Sequence, residues 1–134
     1  MNYWCVKQEP ESYSFDEFAK DSKTDWTGVR NYQARNSLRD MKKGDEVLYY
    51  HSGGGKAVVG FATVTKEAFR DPTADEDAWV AVELTAGKKF KKEVTLAEIK
   101  AEPKLKEILL VRNSRISVMP LTKAEFDQLV KMSN

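Results

Sequence analysis

Eleven consecutive residues, Trp26-Thr-Gly-Val-Arg-Asn-Tyr-Gln-Ala-Arg-Asn36, hold two large aromatics, two guanidinium groups and three amide side chains. Such a set suits base stacking, phosphate pairing and hydrogen bonding to base edges. An equally simple reading makes Trp26 and Tyr32 core residues and leaves the arginines in solvent. A second polar run, Arg112-Asn-Ser-Arg-Ile-Ser117, precedes a strand-like segment. Its side chains could reach the mouth of a barrel, or simply close a hydrogen-bonded turn. Lys88, Lys89, Lys91 and Lys92 read as an exposed hairpin arm with auxiliary phosphate affinity.

Catalytic readings are sharper and mostly fail. A Cys/His nucleophilic pair would need Cys5 and His51, yet Cys5 lies in an apolar run where a buried, inert thiol is the usual outcome. Ser52-Gly-Gly-Gly-Lys-Ala57 lacks the leading glycine of a phosphate loop, and Ala57 stands where the metal-binding hydroxyl belongs, so it reads as a hairpin turn. Asp71, Asp75, Glu76 and Asp77 lack the spacing of a calcium loop and read as a solvated turn. One cysteine and one histidine cannot complete a structural zinc set, and no metal or cofactor is expected. A hydrolase or nuclease using Glu9 and His51 as acid and base stays open as a rival.

The chain has 134 residues, with 22 Lys plus Arg against 21 Asp plus Glu and a formal charge of +1, so any basic surface must be local. A chain this long buries roughly two-thirds of its unfolded surface, enough for an unaided core. Its 41% hydrophobic and 32% charged residues describe a folded chain rather than a disordered one. No apolar run approaches the ~18 residues of a bilayer span, and the N-terminus lacks a signal-like pattern. The expectation is one domain over residues 1–134, soluble, unexported, cytoplasmic and without a membrane partner.

The elements that would position these residues follow from spacing. Tyr3-Trp-Cys-Val6 suits a buried strand. Ser14 and Glu17 have capping-box spacing, predicting a helix to about Lys20, and Thr95/Glu98 and Thr122/Glu125 repeat it. From Asn31 to Lys43, Ala34, Leu38 and Met41 share one helical face and Arg35, Arg39 and Lys42 another, with Gly44 as the stop. Glu46 to Tyr50 and Ala57 to Val64 read as an antiparallel pair, Trp79 to Leu84 as a further strand, and Ile116 to Met119, stopped by Pro120, as the last. Strands mixed with short helices, without βαβ alternation, predict an α+β fold with a small curved sheet or barrel.

The assembled segments resemble the EVE domain family. The resemblance rests on Trp4-x-x-Lys7-x-Glu9-Pro10-x-x-Tyr13-Ser14, the run from Trp26 through Gly28-Val29-Arg30-Asn31-Tyr32-Gln33-Ala34-Arg35-Asn36 to Leu38, Arg39 and Met41, then Tyr50-His51-Ser52, Asp71-Pro72-Thr73 and Ser114-Arg115-x-Ser117-Val118-x-Pro120. It implies a PUA-like fold, a small curved β-barrel flanked by short helices. It also implies a non-enzymatic domain that reads a modified base, chiefly a cytosine altered at carbon five, extruded from DNA or RNA into a pocket. Carried over by motif, the base pocket comprises Lys7, Gln8, Glu9, Trp26, Gly28, Val29, Asn31, Tyr32, Tyr50, His51, Ser52 and Ser117. Arg30, Arg35, Arg39 and Arg115 would pair with phosphates. Two departures stand out. Family members often carry a longer insertion where only Ala74 to Ala78 separates Thr73 from Trp79, and a cysteine-containing turn where this chain has Gly53-Gly-Gly-Lys56. Besides the hydrolase, a protein-interaction module presenting Trp26 and Tyr32 is the competing class.

Overall fold

The computed structural model describes residues 1–53 and 55–134. In chain order it contains β1 (Tyr3–Gln8), α1 (Pro10–Tyr13), α2 (Phe15–Asp21), β2 (Lys23–Trp26), α3 (Tyr32–Asp40), β3 (Glu46–His51), β4 (Ala57–Arg70), β5 (Val80–Thr95), α4 (Leu96–Ala101), α5 (Leu109–Arg112), β6 (Val118–Leu121) and α6 (Lys123–Met132). The six strands form one sheet in the order β2-β5-β4-β3-β1-β6. β1 runs parallel to β3, and the other neighbours are antiparallel. Register shifts at Tyr49/Tyr50 and at four points between Val58 and Phe69 add local twist and curl the sheet. The ladder stays open between β2 and β6, so the α+β sheet is curved like a barrel wall without closing.

Local chemistry explains most boundaries. All three capping boxes form: the hydroxyls of Ser14, Thr95 and Thr122 accept the amides of Glu17, Glu98 and Glu125, and each glutamate reaches back to its cap amide. α3 starts where the Asn31 side chain accepts the Ala34 amide at 3.0 Å, and buries Ala34, Ser37 and Leu38. It ends at Asp40 rather than Lys43, because Met41 turns extended to bury its side chain. Gly44, at φ +95°, therefore serves the following turn and not a helix stop. There Asp45, 3% exposed, accepts from the amides of Asn2 and Lys42 and from Trp4 Nε1 at 2.9–3.1 Å. Burial alone would raise its pKa, but these donors and the nearby amino terminus hold it below the ordinary carboxylate range.

Several strands depart from the bounds their apolar segments suggest: β4 runs on to Arg70, and β6 begins at Val118 rather than Ile116. β5 continues through Lys88 to Lys92, so these lysines decorate a paired strand and not a free hairpin arm. Pro120 lies inside β6 opposite Trp4, tolerated because β6 is an edge strand. Tyr49 is enclosed by Phe15, Phe18 and Trp26 at centroid distances of 5.4–5.6 Å. Phe15 approaches β4 so closely that a Cβ on Gly60 would meet its ring at 2.4 Å, which explains the glycine.

Candidate nucleic-acid interface

The free edge of β2 and the C-terminal end of β1 border a hollow of about 210 Å³, lined by Gln8, Tyr13, Thr24, Asp25, Trp26 and Thr27. A second hollow of about 420 Å³ adjoins it through Gln8 and is lined further by Lys7, Glu9, Ser52, Gly53, Ser114, Arg115 and Ser117. Trp26 and Ser117, 91 positions apart by number, thus wall adjoining depressions.

Trp26 is 5% exposed and meets Tyr49 edge-on, so it is a core residue that also forms part of the first wall. Tyr13 donates its hydroxyl to Asp21 at 2.7 Å, and burial together with that bond pushes its phenol up to about 12. The Gln8 side-chain oxygen accepts the Glu9 amide at 3.1 Å. Lys7 Nζ donates to the Ser114 carbonyl at 2.7 Å and lies 5.9 Å from the Tyr50 ring, and partial burial lowers its pKa. Arg115 is exposed and lines the second hollow.

Several expected pocket residues have other roles. His51 Nε2 accepts the Phe15 amide at 3.0 Å, which spends the lone pair an acid–base role needs; burial lowers its pKa. It lines neither hollow, whereas Glu9 lines the second. Tyr50 is buried beneath Lys7 rather than presented. Val29 is core, and Asn31 is the cap of α3. Tyr32 is 60% exposed outside both hollows, packed on Trp79 at 4.9 Å with the Arg35 guanidinium 4.8 Å from its ring centre.

The residue that organises the Trp26–Tyr32 loop is Asp71, which the acidic run makes look like part of a solvated turn. Its side chain is wholly buried and accepts from the Gly28 amide (2.8 Å), Arg30 (3.0 Å), and the Thr73 amide and hydroxyl (2.8 and 2.7 Å). Burial opposes the charge, but these four donors overcome it and hold the carboxyl at about 2. Gly28 takes φ +82° to offer its amide, a conformation that favours glycine. Arg30 is therefore committed to Asp71, Val29 O and Thr73. Arg35 is half-buried, donating to Asn36 and the Ala78 carbonyl. Arg39 and Arg115 are exposed and make no ion pair among the described residues, which leaves them available to an anion.

Tyr13, Thr24 and Asp25 of the first hollow and Gly53 and Ser114 of the second are lining residues that sequence reasoning missed. The signal lay in their adjacency to Trp26, Ser52, Arg115 and the Lys7–Glu9 segment, but only the fold aligns the edge of β2 with the end of β1.

The EVE domain family model matches residues 2–132. Mouse thymocyte nuclear protein 1 is 33% identical over 165 aligned positions, covering 98% of this chain and 73% of the relative. Those positions outnumber the 134 residues here, so the relative carries segments this chain lacks. The crystal structure of a protein from Agrobacterium tumefaciens has a TM-score of 0.96 at 40% identity, with 100% of this chain and 94% of that one covered. Human thymocyte nuclear protein 1 (THYN1), solved in complex with 5-methylcytosine-containing DNA, has a TM-score of 0.92 at 32% identity, with 100% and 98% covered. The α+β, PUA-like architecture and the family model agree, and this chain belongs to the EVE domain family.

Proposed function

We propose that this chain is a non-enzymatic nucleic-acid-binding domain that takes a cytosine modified at carbon five, extruded from its strand, into the hollow between β1 and β2. The observation that carries the reading is the human family member solved with 5-methylcytosine DNA, which superposes over the full length of this chain. The hollow supports it on physical grounds. At about 210 Å³ it is smaller than a drug-sized pocket of ~300–1,000 Å³ and suits a single-ring group. Trp26 provides an aromatic wall, and stacking contributes ~1–3 kcal/mol per base. Extrusion gives access to the base edge that pairing otherwise covers.

The adjoining hollow suits the sugar and phosphate beside that base. Arg115 supplies a free cation, Lys7 a partly buried one, and Ser52, Ser114 and Ser117 add hydroxyls. With a net charge of +1, affinity depends on such local cations and falls with salt.

The test is fluorescence anisotropy with labelled DNA and RNA strands, single and duplex, identical except for cytosine or 5-methylcytosine at one position. The modified strand is expected to bind about tenfold tighter in at least one of these backgrounds. Equal binding of modified and unmodified strands in every background would overturn the reading.

A further inference from the structure

The turn that joins β3 to β4 does more than connect two strands. Its Gly53 lines the second hollow and also a third, of about 410 Å³, lined further by Gly55, Lys56, Thr95, Leu96, Ala97 and Lys100. Gln8 is common to the first and second hollows, and Gly53 to the second and third, so the three depressions form one series. Backbone bonds fix the turn between its neighbours. The Ser52 amide donates to the Gln8 carbonyl at 3.0 Å, and the Leu96 amide donates to the Lys56 carbonyl at 2.8 Å. One side of the turn is thereby pinned to the end of β1, the other to the start of α4.

The third hollow combines an apolar lining with two cations. Leu96 and Lys100 stand one turn apart on α4, and Ala97 and the two glycines offer no polar side chain. Lys56 and Lys100 are exposed, and neither makes an ion pair or a side-chain hydrogen bond among the described residues. The Thr95 hydroxyl is committed in both directions, donating to the Glu98 carboxylate at 3.0 Å and accepting the Glu98 amide at 3.2 Å. Glu98 itself is held by Thr95 and lies 3.6 Å from Lys92. Two unpaired ammonium groups beside an apolar lining suit the phosphate and sugar of a nucleic-acid strand. Apart from those ammonium groups, no side chain of the lining is free to read a base edge.

The ridge between the second and third hollows is low. It is formed by Gly53, which is exposed at φ +82°, and a Cβ there would meet no atom within 4 Å. Gly55 is equally open. Glycine lets a ligand backbone approach the chain closely, and nothing rises above this ridge to bar a strand from crossing it.

We infer that the hollow between the β3–β4 turn and α4 is a further strand-binding subsite, where Lys56 and Lys100 pair with phosphates farther along the strand whose modified base enters between β1 and β2. The inference rests on the function proposed above for its starting point. The strand runs from the first hollow through the second and over Gly53 into the third. The domain therefore recognises a modified base together with a stretch of strand on one defined side of it. This subsite adds affinity for any nucleotide sequence and leaves discrimination to the first hollow.

The experiment uses fluorescence anisotropy with single-stranded DNA bearing one 5-methylcytosine. The probes are a trimer with that base at its centre, and the same trimer extended by about four nucleotides on its 5′ side or on its 3′ side. Wild type is expected to gain about tenfold more affinity from one extension than from the other. The double variant Lys56→Ala, Lys100→Ala, shown by thermal melts to fold, should lose most of that gain. Its salt slope on the favoured strand should fall by about 0.7 for each lysine, with trimer affinity and the ratio of methylated to unmodified binding unchanged. Lys66→Ala removes a charge from β4 outside all three hollows and should leave the gain intact. The assignment is overturned if the two extensions act alike, if the double variant keeps the full gain, or if Lys66→Ala loses as much. In each of those cases the base reading still stands on its methylated-to-unmodified ratio. A one-sided gain that needs the two lysines, in a protein indifferent to methylation, keeps the strand path and overturns the base reading instead.

Discussion

The Asp71 carboxylate and the Arg30 guanidinium meet at 3.0 Å across 41 positions of sequence, with the Asp71 side chain fully enclosed and the Arg30 side chain 40% exposed. The contact ties the strand-to-helix loop after Trp26 to the turn that joins β4 and β5. Asp71 also accepts from Gly28 and Thr73, so it holds the loop by its backbone as well as by Arg30. Its removal strands several donors at once. Asp71→Ala is expected to cost about 3–5 kcal/mol and lower Tm by about 10 °C or more. Arg30→Ala should cost clearly less, because Asp71 keeps the Gly28 and Thr73 donors. Paired denaturant titrations check the order; equal losses would mean that the ion pair, and not the amides, holds the loop.

The same carboxylates set the acid limit of the fold. Asp71, held at about 2, and Asp45, held below the usual range, are each more acidic folded than unfolded. Their contribution is fully present above the unfolded carboxyl pKa of roughly 4 and is lost as pH falls through the folded values. Stability should therefore drop between about pH 4 and pH 2. Urea midpoints across that interval should fall less steeply for Asp71→Asn than for wild type. An identical slope would remove Asp71 from the acid response.

His51 is the single histidine, so its titration can be read without ambiguity. The lone pair that accepts the Phe15 amide must stay unprotonated, and burial favours the neutral ring further. The folded pKa lies below the ordinary 6.5, so this contribution is present above about pH 6.5 and fades as pH falls through the folded value. The NMR shift of the ring carbon-bound protons should show a midpoint under 6.5, with the remaining proton on Nδ1. A midpoint at or above 6.5 would contradict the capping bond.

What the sequence discloses is mainly local. Ser14/Glu17, Thr95/Glu98 and Thr122/Glu125 announce their helices because a capping box is complete within four residues. β2 escapes detection because Lys-Thr-Asp-Trp buries only its last residue and owes its strand state to pairing with β5, some 60 residues away. The single-turn helices α1 and α5 are too short to show a period. The parallel pairing of β1 with β3 brings Gln8 beside His51, and no neighbouring residue signals it. At the site, the run after Trp26 was legible as aromatic and basic. The burial of Asp71, which ties Arg30 to the loop, depends on a partner 41 positions away.

Burial also dictates how Trp26 can be probed. Trp26→Ala would empty core space against Tyr49 and cost about 3–5 kcal/mol, mixing folding with recognition. Trp26→Phe keeps an aromatic face with less area. It should fold, retain salt-dependent strand affinity and weaken the preference for the modified base by a fewfold. An unchanged preference would make Trp26 structural and move stacking to another wall.

The cations divide by what they already hold, and salt dependence reads that division directly. Arg115 lines the second hollow and makes no ion pair among the described residues, so it can release counterions when it meets a phosphate. Arg115→Ala should weaken every strand about equally, keep the base preference, and reduce the slope of log affinity against log salt by about 0.7–0.9. Arg39→Ala should behave alike if its exposed face of α3 also follows the strand. Arg30 is neutralised by Asp71 in the free protein, so its phosphate-paired state would have to abandon a wholly buried carboxylate. Arg30→Ala should accordingly leave the salt slope near that of wild type, with any loss of affinity following its loss of stability. Titrations of the three variants at several salt concentrations separate the groups. A slope reduced by Arg30→Ala as much as by Arg115→Ala would show that the complex breaks the Asp71 contact, and would return Arg30 to the phosphate-binding set.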